Sequence, residues 1–200
     1  MSDPAPPDRT LNGCSRRRLL CGVLETALVG LAASSTLVAA ATDTDPRKLP
    51  PQLGDELAYS SDDGGKVVTA ADIKLHAAPI IAYPRDPHTQ VIRERSRLNQ
   101  ILLLRFTPKE LSAETRANAA DGIVAYSAIC THAACGVSEW NATTLHLICP
   151  CHASQYDPRQ RAVRVAGPAP RALPALPIKQ TGNTLTITGP FSGQVGAEKS

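Results

Sequence analysis

Two boxes, Cys130-Thr131-His132-Ala133-Ala134-Cys135 and Cys149-Pro150-Cys151-His152-Ala153-Ser154, decide how this 200-residue sequence is read. Four of the six cysteines fall between positions 130 and 151, and none follows. Such crowding signals a metal site, disulfides, or both. One residue separates Cys130 from His132, and two separate Cys149 from His152. Each box follows an apolar run, 122–129 or 145–148, that reads as a strand, so each sits on a loop at a strand end. Two such loops can face each other and close over a small inorganic core.

The ligand types set the chemistry. Thiolates bind iron strongly, and each brings a negative charge. Two imidazoles in place of two thiolates on one iron remove charge and favour the reduced form. That raises the potential to roughly −150 to +300 mV, against roughly −400 mV for an all-cysteine plant-type cluster.

The two boxes resemble those of the Rieske family, in particular the disulfide-bearing branch found in cytochrome bc complexes. The resemblance implies a [2Fe–2S] cluster with Cys130 and Cys149 on one iron and His132 and His152 on the other. It implies a disulfide between Cys135 and Cys151, which suits an extracytoplasmic head. Gly167-Pro168-Ala169-Pro170 resembles the family's proline loop, the third wall of the cluster pocket. Ser154 and Tyr156 stand where the family donates hydroxyl hydrogen bonds to a bridging sulfide and to a cysteine ligand, and such donors raise the potential. A zinc site would use the same two Cys and two His, but would not require Cys135, Cys151, the proline loop, Ser154 or Tyr156. The chain departs from the family in carrying Ala134 and Ala153 where glycine is usual, and Ala133 where leucine is usual. In bc complexes that leucine lies at the tip that meets cytochrome b.

The rest of the sequence predicts an all-β head. Short apolar runs at 66–69, 80–83, 101–106, 162–165, 176–179 and 184–188 join the two strands already named. Thr181-Gly182-Asn183 reads as a hairpin turn joining the last two. Residues 108–120 read as a short helix or a surface loop. Seventeen Pro and 13 Gly against two Phe and one Trp favour turns and short strands over a helical bundle. The predicted fold is thus a small Rieske-like head of short antiparallel strands with two cluster-binding loops, preceded by one transmembrane helix. His76, His88 and His146 lack a motif and read as surface or partly buried residues.

The N-terminus reads as an export signal. Ser15-Arg16-Arg17-Arg18-Leu19-Leu20 resembles a twin-arginine signal, which carries proteins already folded around a cofactor. A weakly apolar run, 19–41, is broken only by Glu25 and would span about 34 Å as a helix, enough for a hydrocarbon core of roughly 30 Å. Arg9, Arg16, Arg17 and Arg18 precede it and acidic residues follow, which places the body of the chain outside. The expected organisation is a signal and membrane anchor over 1–41, with cleavage at the small residues Ala39-Ala40-Ala41 as the alternative, a flexible linker over 42–65, a Rieske [2Fe–2S] domain over 66–190 and a tail over 191–200. Cys14 and Cys21 then lie at the inner face without a role.

These readings predict a single-pass inner-membrane protein with a periplasmic head. It would serve as the electron-transfer subunit of a bc-type quinol–cytochrome c oxidoreductase, rather than as an enzyme alone. The partners would be the membrane, cytochrome b, a c-type cytochrome and quinol, with His132 or His152 contacting quinol. The alternatives are the small subunit of a periplasmic molybdenum oxidase resembling arsenite oxidase, and a stand-alone respiratory carrier. A net charge of +3 gives no ground for nucleic-acid binding.

Overall fold

The structure is a computed structural model and describes residues 45–198. The twin-arginine signal, the anchor over 19–41, Cys14 and Cys21 lie outside the described residues. Within them, no helix is long and apolar enough to cross a membrane.

Ten strands form two antiparallel sheets. The first holds β1 (Glu56–Ala58), β2 (Ile80–Arg85), β3 (Ile101–Arg105), β4 (Ile123–Ser127), β9 (Ile178–Thr181) and β10 (Thr184–Ile187), in the order β4-β3-β2-β1-β10-β9. The second holds β5 (Glu139–Asn141), β6 (His146–Cys149), β7 (Ser154–Asp157) and β8 (Val163–Ala166), in sequence order. One α-helical turn, α1 (Ala113–Arg116), starts on Ser112, whose hydroxyl accepts the Thr115 N–H. The all-β expectation therefore holds.

Strands β3 and β4 explain how the sheets share one body. Alternate residues of a strand face opposite sides. Leu102, Leu104 and Phe106 on β3 and beyond, with Val124 and Tyr126 on β4, face a core that includes Val137, Leu147, Cys149, Tyr156 and Leu173. Ile101, Leu103, Ile123 and Ala125 face a second core with Leu57, Val68, Leu176, Leu185 and Ile187. Both strands are thus buried on both faces, which is why 101–106 reads as an unbroken apolar run. Each fully buried leucine contributes about 1.5–3 kcal/mol relative to an exposed one.

Several boundaries differ from the sequence reading. Residues 66–69 form no strand; Val67 and Thr69 make only isolated bridges to Ala58 and Thr184. Residues 45–65 do not hang free as a linker would. Leu57 and Ala58 are fully buried in β1, and Asp55 is buried because Arg93 meets it with two nitrogens, at 2.8 and 3.2 Å. Arg93 also donates to Pro46 O, and Asn99 donates to Leu49 O, so the entry segment is stitched onto residues 93–99. At the other end, Arg171 donates to Gln194 O and Gly196 O, fixing part of the expected tail. Charged and proline-rich composition signals exposure, and long-range ion pairs and carbonyl bonds escape that signal. The hairpin turn behaves as read: Thr181 pairs with Thr184 across Gly182 and Asn183, and Gly182 takes φ +60°.

Candidate metal centre

Both boxes lie at strand ends, as expected. The first follows β4 and the second joins β6 to β7. The first loop is closed on itself: Cys130 N–H donates to Cys135 O at 2.8 Å, and Ala134 N–H donates to Cys130 O at 3.1 Å. To close this tightly the chain enters the left-handed region at Ala134 (φ 56°), and the second loop does the same at Ala153 (φ 54°). Glycine occupies such positions at little expense, whereas alanine meets its own Cβ.

The loops bring the two thiols beside each other and the two imidazoles beside each other. Cys130 and Cys149 are free thiols, 1% and 0% exposed. His132 Nδ1 and His152 Nδ1 face each other at 3.3 Å, with the rings edge to face. His152 is exposed and His132 half-buried. The site thus has a dry sulfur side and a wet imidazole side. Burial pushes the Cys149 thiol up; the backbone N–H groups of Cys151 and His152 pull the other way, and the neighbouring Cys130 thiol adds to the rise. A metal that displaces the proton removes this conflict.

Cys135 and Cys151 form the expected disulfide, with Cα atoms 6.5 Å apart. Both of its sulfurs lie within 4.8 Å of Cys149 Sγ. That compact trio is not a ligand set, because two of its members are bonded to each other. It leaves Cys149 beside Cys130 as the sulfurs open to a metal.

Ser154 and Tyr156 both point inward from β7, whose alternation buries them and leaves Gln155 and Asp157 partly exposed. The polar letters Ser-Gln-Tyr-Asp hide this strand from a reading based on apolar runs. Tyr156 Oη lies 3.1 Å from Cys130 Sγ. Its hydroxyl is held well above the ordinary phenol range, by burial first and by Cys130 next. Ser154 Oγ accepts the Ala169 N–H at 3.1 Å, which leaves its own proton free to donate. That bond pins the proline loop against the second box. Gly167 (φ +83°) packs on the Ser154 backbone so closely that a Cβ there would stand 2.7 Å from Ser154 N and 2.9 Å from Ala153 O. Ala169 is buried, and Pro168 and Pro170 are exposed beside it.

Two supports escape a reading of the boxes alone. Thr131, inside the first box, donates to Arg171 O at 2.7 Å. Arg97, far away in sequence, donates to Ala134 O at 2.6 Å, and no local signal connects them. Of the other histidines, His76 Nε2 contacts both oxygens of Glu110, at 2.9 and 3.0 Å, and His88 is exposed. His146 is half-buried, and its Nδ1 has no partner among the described residues.

Two buried thiols, two converging imidazole nitrogens and the Tyr156 hydroxyl beside Cys130 Sγ fit an iron–sulfur cluster. The donor set is soft on one side and borderline on the other, and the two Nδ1 atoms are close enough to share one cation. Comparison with known proteins agrees. Residues 99–177 match the model of the Rieske [2Fe–2S] domain. A protein of Haloferax mediterranei named as a putative respiratory nitrate reductase Rieske subunit is 49% identical over 76 residues, 38% of this chain and 34% of that protein. The cytochrome bc1 complex Rieske iron–sulfur subunit of Corynebacterium diphtheriae is 35% identical over 135 residues, 67% of this chain and 31% of that protein. The corresponding subunit of Streptomyces lividans is 39% identical over 98 residues, 48% of this chain and 58% of that protein. The chain thus spans between about a third and three fifths of the length of these relatives. The buried thiols, the paired imidazoles, the disulfide and the family match lead to one assignment: residues 99–177 of this chain are a Rieske [2Fe–2S] domain.

Proposed function

We propose that the chain is the membrane-anchored Rieske subunit of a bc-type quinol–cytochrome c oxidoreductase, with residues 1–41 as signal and anchor and a periplasmic head. The observation that supports this most is the split character of the site, with thiols buried and imidazoles at the surface. The bc1 names of two relatives agree with it.

Cys130, Cys149, His132 and His152 would hold the cluster, which supplies one-electron redox chemistry when bound. Cys130 and Cys149 bind as thiolates, kept from water by Leu147, Tyr126 and Val137 in the same core. His132 and His152 bind through Nδ1, so the Nε2 of each ring remains for an outside partner. That nitrogen accepts a hydrogen bond from a quinol hydroxyl and then takes its proton. Tyr156 and Ser154 donate to sulfur and favour the reduced state. The disulfide and the Ser154–Ala169 bond hold both loops and the proline wall in one geometry.

The relative named for a respiratory nitrate reductase favours a second reading, in which the head serves a different respiratory oxidoreductase. Alanine at position 133 agrees with that reading, since it gives a smaller tip than the usual leucine. Membranes containing the native complex decide between them. On the bc-type reading, a quinol-site inhibitor that hydrogen-bonds a ligand histidine changes the cluster's electron paramagnetic resonance signal. An unchanged signal with the inhibitor bound, and copurification with a non-bc oxidoreductase, would establish the second reading instead.

A further inference from the structure

Two arginines stand at the rim of the site, and no carboxylate pairs with either among the described residues. Arg97 is exposed and uses Nη2 to hold Ala134 O, on the first cluster loop. Arg164 is exposed and uses Nη1 to hold Gly167 O at 3.1 Å, on the proline loop beside the second box. They therefore anchor at the two flanks of the His132–His152 pair. Between them the tip is small and uncharged: Ala133, Ala153, Pro168 and Pro170 are exposed there. A third arginine, Arg171, lies 3.6 Å from Glu198 and is offset by it.

A carbonyl needs only one donor, and a glutamine would supply it. An arginine that spends one nitrogen on a carbonyl keeps the rest of its planar fork for a second acceptor, and that fork matches a carboxylate. Opposite charges around a contact steer encounter and set register more than they add affinity. We propose that Arg97 and Arg164 form a cationic rim around the histidine tip, and that the redox partner of this head docks there through an acidic surface. The inference rests on the electron-carrier reading and adds the charge of the partner to it.

The test uses full-length protein loaded with its cluster. Iron content and the resonance signal are read first; their absence would overturn the electron-carrier reading. With the cluster present, the reduced protein is oxidised by hexacyanoferrate(III), an anion, and by tris(phenanthroline)cobalt(III), a cation. The anion's rate constant should fall about tenfold between about 10 and 200 mM salt, while the cation's rises. The double variant Arg97→Gln/Arg164→Gln leaves an uncharged donor at each position and should flatten both slopes, after correction for any change in midpoint potential. At low salt, succinylated cytochrome c should oxidise the wild type faster than native cytochrome c, and the variant should lose that preference. Equal salt slopes in wild type and variant, or a preference for the native basic cytochrome, would overturn the rim.

Discussion

Tyr156 Oη and Cys130 Sγ lie 3.1 Å apart, joining β7 to the loop that follows β4 and setting a fixed hydroxyl against a sulfur. Thr131 Oγ1 is the competing acceptor at 3.5 Å, and its own proton is committed to Arg171 O. A donor to sulfur counts for more once the cluster carries an extra electron. A bond that strengthens by about 1 kcal/mol on reduction raises a one-electron potential by roughly 40 mV, since about 59 mV corresponds to about 1.4 kcal/mol. Tyr156→Phe should lower the midpoint by about that much with full iron content, and Ser154→Ala should act in the same direction. Redox titration followed by circular dichroism measures both; unchanged midpoints would mean that neither hydroxyl reaches the cluster.

Ala134 and Ala153 hold left-handed backbone in the two cluster loops. That conformation strains a side chain by about 1–2 kcal/mol, and glycine gives part of the relief back as unfolded-state entropy. Ala134→Gly and Ala153→Gly should therefore each stabilise the folded protein by roughly 0.5–1 kcal/mol. Denaturant titration of each variant checks this, and a loss of stability would count against the strain.

Gly167 predicts the reverse. Its φ of +83° and the Ser154 backbone behind it leave no space for a methyl group. Gly167→Ala should push the proline loop off β7, break the Ala169–Ser154 bond and destabilise by about 1–3 kcal/mol. Less iron per purified chain and a faster loss of the visible spectrum on warming are the expected readouts. A variant with normal iron and normal lifetime would show that the proline wall is dispensable.

The two boxes made the centre legible, because ligand type and spacing are local and four cysteines with two histidines admit few arrangements. The ladder around them was legible where strands are apolar, as in β3 and β4. It was hidden in β7, whose inward residues are Ser154 and Tyr156, and in β1, whose flank carries the buried Asp55. Arg93 lies far from Asp55 in sequence, so no window along the chain contains the reason for that burial. Arg97, which holds Ala134 O from 37 residues away, was illegible on the same ground.

Acid should weaken the fold through Glu110. Bonds from the Thr107 hydroxyl first, and from His76 next, lower its carboxyl from 4.5 to about 2. A group depressed in the folded state contributes stability above its unfolded value and loses it as pH falls through the folded one. The Glu110 contribution should thus be complete above about pH 4.5 and disappear towards about pH 2. Glu110→Gln should have a lower melting temperature than wild type at neutral pH, and the difference should shrink across that window. Parallel melting curves at every pH would show that Glu110 is not the group responsible.

The lobe that bears β5 to β8 leaves the larger sheet at β4 and returns at β9. Its two ends already touch: Ser127 N–H donates to Pro174 O at 2.9 Å, and Tyr126 bridges Ala175. A continuous stretch of gene therefore encodes a piece whose boundaries coincide in space. An antiparallel scaffold with a matching pair of strand ends, and an apolar face to stand in for Leu102, Leu104 and Phe106, can receive it without a change of connectivity. A single cut-and-paste exchange at the DNA level would move the redox centre whole, and each host framework would then be free to diverge around it.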